Sequence, residues 1–163
     1  IALVLSNVPE AGGLAVAAQN GIATATVDHR AFNRDREAFE RAVQAVLEAH
    51  RIDIVCLAGF MRILTPWLVG RWEGRMINIH PALLPAYKGL DTHARALADG
   101  ATEHGATVHF VVPDMDSGEV ILQETVPVLP GDTAESLGRR VLEAEHRIYP
   151  EALRMIATEY RLL

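Results

Sequence analysis

The chain has 163 residues, half of them hydrophobic, with 15 Lys and Arg against 21 Asp and Glu and a formal net charge of -6. That length suffices for the core of one domain, or of one domain with a small lobe, and the acidic balance argues against a nucleic-acid surface as the main binding feature. A single cysteine, Cys56, excludes a disulfide framework, and no apolar stretch reaches the ~18 residues expected of a spanning helix. The expectation is a single domain with a small-molecule partner, no signal peptide or membrane anchor, and a cytoplasmic location.

Ile1-Ala2-Leu3-Val4-Leu5-Ser6 opens the chain as a buried-strand run, and a small-residue amphipathic stretch follows it to Asn20-Gly21, where the glycine suits a helix stop. Residues 22–27 read as a second strand. Asn33 is placed to cap a helix in which Phe39, Val43, Val46 and Leu47 form one apolar stripe. Residues 52–57 form a third apolar run, with Cys56 inside it as a buried free thiol. Strand, helix, strand, helix, strand predicts a parallel sheet with right-handed crossovers. Met61-Arg62-Ile63-Leu64 then follows at the carboxyl end of its strand, where open α/β sheets place ligands; a helix start with Met61 and Leu64 in the core is the plainer alternative.

A fourth strand, Arg75-Met76-Ile77-Asn78-Ile79-His80, ends in two polar residues. Alternation along a strand puts Asn78 and His80 on one face, in reach of one small ligand. Residues 105–112 and 119–128 are β-rich and are joined by Pro113-Asp114-Met115-Asp116-Ser117-Gly118, so an antiparallel hairpin extends the sheet. Asp132 with Glu135 resembles a capping box for a helix carrying Leu137, Val141, Ala144 and Ile148, which Pro150 breaks or kinks. A final amphipathic piece carries Leu153, Ile156 and Tyr160. The fold class is therefore α/β: a Rossmann-like, mostly parallel sheet flanked by helices, with an antiparallel extension.

An amide donor beside an imidazole is what an acyl-transfer site needs, and the 113–118 turn offers carboxylates to close over the pair. Each part alone has an ordinary structural reading. An Asn-x-His pair ends many strands, and Asp114 and Asp116 suit a turn because aspartate caps its own backbone there. His93, His104 and His109 lack the close spacing of a zinc helix and have no cysteine partners, so no metal is expected. His109 reads as a hydrogen-bonded core histidine, and His93 as either a neighbour of the site or a surface residue.

Taken together and in order, Leu57-Ala58-Gly59-Phe60-Met61-Arg62-Ile63-Leu64, Asn78-Ile79-His80-Pro81-Ala82-Leu83-Leu84-Pro85, Gly89, His93, His109-Phe110-Val111, Asp116-Ser117-Gly118 and Glu145-His146 cover nearly the whole chain. In these blocks it resembles the folate-dependent formyltransferases, most closely those that act on glycinamide ribonucleotide. The resemblance implies formyl transfer from 10-formyltetrahydrofolate, a cosubstrate, to the amine of a phosphorylated ribonucleotide, without a metal, in a monomer or homodimer. It implies Asn78, His80 and Asp116 as the catalytic residues. Arg62, Ile63, Leu64, Val111, Val112, Pro113 and Asp114 are implied to build the folate pocket, largely through main-chain atoms, Pro113 offering only its carbonyl. Arg36 would contact the phosphate, Glu145 would hold the ribose hydroxyls, and Gly59, Met61 and Pro81 would line the path of the amine.

Such enzymes begin with a strand and a Gly/Ser/Asn-rich phosphate loop ahead of the point where this sequence starts. The expectation is that this first strand and loop are missing from it. Two alternatives stay open: hydrolysis of the same donor with water as acceptor, and a non-catalytic folate- or nucleotide-binding module. Formylation of a charged transfer RNA is disfavoured by the acidic composition.

Overall fold

The computed structural model describes residues 1–159. Packing divides the chain into two compact units, Ile1–Val55 with Arg62–Trp72, and Cys56–Met61 with the chain from Glu73 onward.

The first unit opens with β1 (Leu3–Ser6), α1 (Gly12–Gln19) and β2 (Ala23–Thr26), and the two strands pair in parallel from Leu3 opposite Ala23 to Ser6 opposite Thr26. Gly21 ends the α1 turn at φ +69°, a left-handed conformation that glycine adopts without steric cost, while its N–H donates to Ala18 O at 3.0 Å. A 3-10 turn at His29–Phe32 leads to α2 (Arg36–Ala49). The cap of α2 is Asp35, whose carboxylate accepts from Ala38 N–H at 3.0 Å. Asn33, expected in that role, is instead left-handed at φ 47°, two residues too early to reach the free amides of the first turn.

The predicted stripe of α2 holds: Phe39, Val43 and Leu47 are buried, and Val46 is half-buried. Leu68 and Val69 of α3 (Pro66–Arg71), with Trp72 just after it, complete the core of this unit. Burying side chains of this size is worth ~1.5–3 kcal/mol each. Glu40 is the exception on the buried face, at 1% exposure. Its carboxylate accepts the Thr65 N–H at 2.7 Å and the Thr65 hydroxyl, so it satisfies the start of α3 from the neighbouring helix.

The second sheet runs in the order β3 (Val55–Leu57), β4 (Met76–His80), β5 (Glu103–Phe110), β6 (Val120–Pro127). β5 pairs antiparallel with β6, as the hairpin reading required; β4 also pairs antiparallel with β5, so this sheet is less parallel than the crossover pattern predicts. A register shift at Val108/His109 bulges the hairpin where it runs into the 111–118 turn. Gly105, opposite Thr125 nearer the start of β5, is needed for space: a β-carbon would lie 2.0 Å from the Glu124 carbonyl oxygen. Burial along β3 alternates half-buried, exposed, half-buried, so Cys56 is exposed, with its thiol beside the Tyr149 hydroxyl, contrary to the buried thiol expected from its apolar neighbours.

The long α5 (Ala134–Glu159) packs on β5 and β6 through Leu137, Val141, Ala144, Ile148, Ala152 and Ile156. Helix continues through Pro150 rather than ending there, since the buried stripe runs on either side of it. Tyr160, expected on that stripe, lies outside the described residues. The capping box also moves by one residue: Ser136 N–H donates to Thr133 Oγ1 at 3.1 Å and Thr133 N–H to Ser136 Oγ at 2.9 Å. Asp132 is engaged instead by Arg140 at 2.7 Å and 3.1 Å, which holds its carboxyl well below the usual range. Arg140 is thus a structural clamp rather than the solvated helix charge its position suggests. The Tyr149 hydroxyl, on the same helix, reaches Leu57 O at 2.7 Å and Ile77 O at 3.3 Å, joining neighbouring strands β3 and β4.

Candidate functional site

At the carboxyl end of β4, Asn78 and His80 share a face, as their spacing predicts, and the strand opposite supplies the rest of the wall. Asn78 is directly opposite His109, and His80 opposite Thr107. Asn78 Nδ2 lies 3.3 Å from His109 Nε2. His109 Nδ1 is 2.9 Å from Phe110 O, and a carbonyl only accepts, so Nδ1 carries the hydrogen. Burial pushes the ring's pKa down, which keeps it neutral and leaves Nε2 to accept from the Asn78 amide. That contact fixes which end of Asn78 is nitrogen and leaves its second N–H and its oxygen for a ligand.

The same logic assigns the His80 ring. His80 is 5% exposed, and its Nε2 is 2.9 Å from Tyr87 O, so this nitrogen donates. Nδ1 faces the other way, 3.5 Å from Asp116 Oδ2. Asp116 enters from the 111–118 turn at φ 50°, a left-handed conformation that aspartate tolerates better than most residues. Its Oδ2 accepts Gly89 N–H at 2.9 Å, and its Oδ1 lies 3.7 Å from His109 Nε2. Asn78, His80, His109 and Asp116 therefore form one polar cluster on the second unit.

The chain just after β4 is tied to the sheet. Thr107 Oγ1 donates to Ala82 O at 2.6 Å and accepts Leu84 N–H at 3.0 Å, while Gln123 Nε2 donates to Leu84 O at 2.9 Å. Half-buried Pro81 follows His80, and its carbonyl accepts the Thr92 hydroxyl at 2.7 Å. Behind the site His104 Nε2 and His93 Nδ1 meet at 3.1 Å. His93 thus belongs to a histidine pair rather than to the surface. Burial, then the His93 charge, drives the His104 pKa down to about 4, and burial lowers that of His93.

The remaining expected residues are placed as follows. Val111 N–H donates to Met76 O at 2.9 Å, extending the β4 edge, and Val111 and Val112 are half-buried while Pro113 and Asp114 are exposed in the turn that delivers Asp116. Gly59 is left-handed at φ 63°, and Met61 is 78% exposed. Glu145 is half-buried on α5, and burial raises its carboxyl pKa. Arg36 is exposed at the first position of α2 in the first unit. Arg62 lies over the Phe39 ring, 5.6 Å from its centroid, and with His29, Arg30, Asn33 and Arg34 lines a cationic cleft of about 390 Å³ within that unit. Ile63 is exposed and Leu64 half-buried beside it. Among the described residues, no three His, Cys, Asp or Glu side chains are grouped to hold a metal ion.

The sequence reading missed three contributors: His109 as partner of Asn78, the Tyr87 carbonyl and the Gly89 amide. Strand alternation puts His109 on the same face as Thr107, so its ladder partner was open to inference once β4 and β5 were paired. Main-chain partners leave no such signal.

The family of formyl transferases matches residues 1–153. Phosphoribosylglycinamide formyltransferase of Escherichia coli strain K12 is 50% identical over 147 residues, covering 90% of this chain and 69% of that protein. The bovine trifunctional purine biosynthetic protein adenosine-3 is 49% identical over 158 residues, 97% of this chain but 16% of that protein, so the chain spans a small part of such relatives. Among solved structures, glycinamide ribonucleotide transformylase 1 of Symbiobacterium toebii superposes with a TM-score of 0.94 at 45% identity, covering 98% of this chain and 74% of that one. The phosphoribosylglycinamide formyltransferase of Brucella melitensis gives 0.91 at 50% identity, with coverages of 96% and 80%.

Proposed function

This chain belongs to the formyl transferase family, and on that premise we propose that it transfers a formyl group from 10-formyltetrahydrofolate to the amine of glycinamide ribonucleotide, a step of purine biosynthesis. The observation that carries the reading is the convergence of Asn78, His80 and Asp116 on one face of the second unit. The relatives named for this reaction supply the identity of donor and acceptor.

Formyl transfer needs no protein nucleophile, because the acceptor amine attacks the formyl carbon itself. The new bond is amine nitrogen to carbon, the broken bond is carbon to the donor nitrogen, and one proton passes from the first nitrogen to the second. The chain must therefore stabilise a developing oxyanion and move one proton. The free N–H of Asn78, held in orientation by His109, is a fixed donor for the oxygen, and a preorganised donor in a dry site favours the transition state over the ground state. His80 lines the same face. Asp116, accepting from Gly89 and facing His80 Nδ1, is the acceptor that takes the amine proton and returns it to the leaving nitrogen, directly or through water.

The test mixes the full-length protein with 10-formyltetrahydrofolate, with and without glycinamide ribonucleotide, and follows donor loss together with product mass. Donor loss that requires the nucleotide and yields its formylated product supports the proposal. Loss at the same rate without the nucleotide makes water the acceptor, and folate binding without turnover makes the chain a binding module; either result overturns it.

A further inference from the structure

One short strap of chain holds both His80 and Asp116. Tyr87 O accepts from His80 Nε2 at 2.9 Å, and two residues later Gly89 N–H donates to Asp116 Oδ2 at 2.9 Å. The strap is not relaxed backbone. Tyr87, Gly89 and Asp91 are all left-handed, at φ 54°, 80° and 55°. For a bulky residue such as tyrosine that conformation persists only where the surroundings enforce it.

The Tyr87 ring packs edge-on against His104, with 5.7 Å between ring centroids, and the carbonyls of the strap are held by Arg95, an exposed residue of α4 (Thr92–Ala98). Its Nη1 donates to Lys88 O at 2.7 Å and to Leu90 O at 3.3 Å, the carbonyls on either side of Gly89. Its guanidinium carbon lies 5.6 Å from the centroid of the Tyr87 ring, which adds a cation–π contact at the other end of the strap. From the opposite side Lys88 Nζ donates to Ser117 Oγ, next to Asp116. A charged donor bridging two carbonyls holds them more firmly than neutral hydrogen bonds do, and a planar guanidinium can bridge and stack at once.

We propose that Arg95 is a positioning residue of the proposed formyl transfer: it clamps residues 87–90 so that the Tyr87 carbonyl and the Gly89 amide aim His80 and Asp116 at each other. Arg95 touches neither side chain. Its effect passes through two main-chain groups, so it alters geometry and leaves ligand contacts in place. The inference rests on the proposed reaction for its kinetic consequence, while its structural half stands apart from it.

The experiment compares the full-length protein with Arg95→Ala and Arg95→Lys, using Arg139→Ala as the control on an exposed helix pair. Three quantities are read: kcat and KM for formyl transfer, hydrogen exchange at the Gly89 amide, and the NMR signal of the His80 Nε2 proton. In Arg95→Ala the Gly89 amide exchanges at least about tenfold faster, the His80 proton signal broadens or vanishes, and kcat falls roughly ten- to a hundredfold with KM within about twofold. Arg95→Lys, which keeps the charge but not the fork, falls between, and Arg139→Ala matches the unsubstituted protein. Gly89 exchange that stays unchanged in Arg95→Ala overturns the proposal, as does faster exchange with unchanged kcat. If the unsubstituted protein transfers no formyl group, the reaction fails on that ground alone, and the clamp is then decided by Gly89 exchange and the His80 signal.

Discussion

Asn78 and His109 stand opposite each other on antiparallel strands, with the amide nitrogen of one 3.3 Å from Nε2 of the other. Because the His109 Nδ1 proton is committed to the Phe110 carbonyl, the asparagine amide has one orientation and not two. His109→Phe removes the acceptor while keeping an aromatic ring of similar size. The amide is then free to flip, and kcat is expected to fall roughly tenfold, with folding stability reduced by about 1 kcal/mol. Steady-state kinetics beside urea unfolding separates the two effects; full activity in this variant rejects the orienting role.

His80→Ala and Asp116→Asn each remove one side of the 3.5 Å pair. Loss of a positioned acid–base group is expected to lower turnover by roughly 10²- to 10⁴-fold. Asp116→Asn keeps an oxygen to accept from Gly89, so its unfolding midpoint should stay near that of the unsubstituted protein. The double variant should be scarcely slower than either single one, since the two side chains work as one pair. Additive losses in the double variant would show that the two side chains serve separate steps.

Gly118 lies where a β-carbon would be 1.7 Å from the Phe110 carbonyl oxygen and 2.7 Å from its carbon. No rotamer relieves a clash between backbone atoms. Gly118→Ala therefore has to move the end of the turn that carries Asp116, costing on the order of several kcal/mol. Thermal unfolding together with folate-dependent activity checks this, and a variant as stable and active as the parent would mean that the turn adapts without moving Asp116.

Glu40 is buried, with its carboxylate on the Thr65 amide and hydroxyl. Glu40→Ala strands that amide and opens a cavity, for an expected loss of about 2–4 kcal/mol measured by urea unfolding. Glu40→Gln keeps one acceptor oxygen and should recover part of it. Equal losses in the two variants would make packing, and not the hydrogen bonds, the source of the effect.

Acid should weaken the fold before the carboxylates titrate. The His104 pKa is pushed by burial from its ordinary 6.5 to about 4, and His93 and His109 move in the same direction. Between those values the unfolded chain binds a proton at His104 that the folded chain refuses, so stability falls as pH drops through that window. The loss from His104 alone is on the order of a few kcal/mol. The urea midpoint should drop between pH 7 and pH 5, and His104→Gln should flatten that drop; an unflattened profile would assign the acid sensitivity to other groups.

Side-chain periodicity was the legible part of this molecule. The α2 stripe at Phe39, Val43 and Leu47, the strand ending in Asn78 and His80, and the hairpin into the Asp116 turn all follow from which residues are apolar and at what spacing. Local competition was not legible. Asp35 outcompetes Asn33 because of where the helix starts, and Thr133 with Ser136 forms the capping box while Asp132 accepts from Ser136 and Arg140. Cys56 looked buried because its neighbours are apolar, yet its place in the alternation of β3 leaves it exposed. At the candidate site the side chains could be named from sequence, whereas the Tyr87 carbonyl and Gly89 amide could not, because every residue carries those groups and only the backbone path decides where they point.

That path makes the five residues from Tyr87 to Asp91 a module. A single replacement at a position whose main chain Arg95 holds is expected to disturb the grips on both side chains at once, and keeping the segment together with Arg95 is expected to preserve them. Attempts to alter the proposed activity should therefore graft this loop and its clamp as one cassette, and randomised libraries that vary its positions independently should return few active clones.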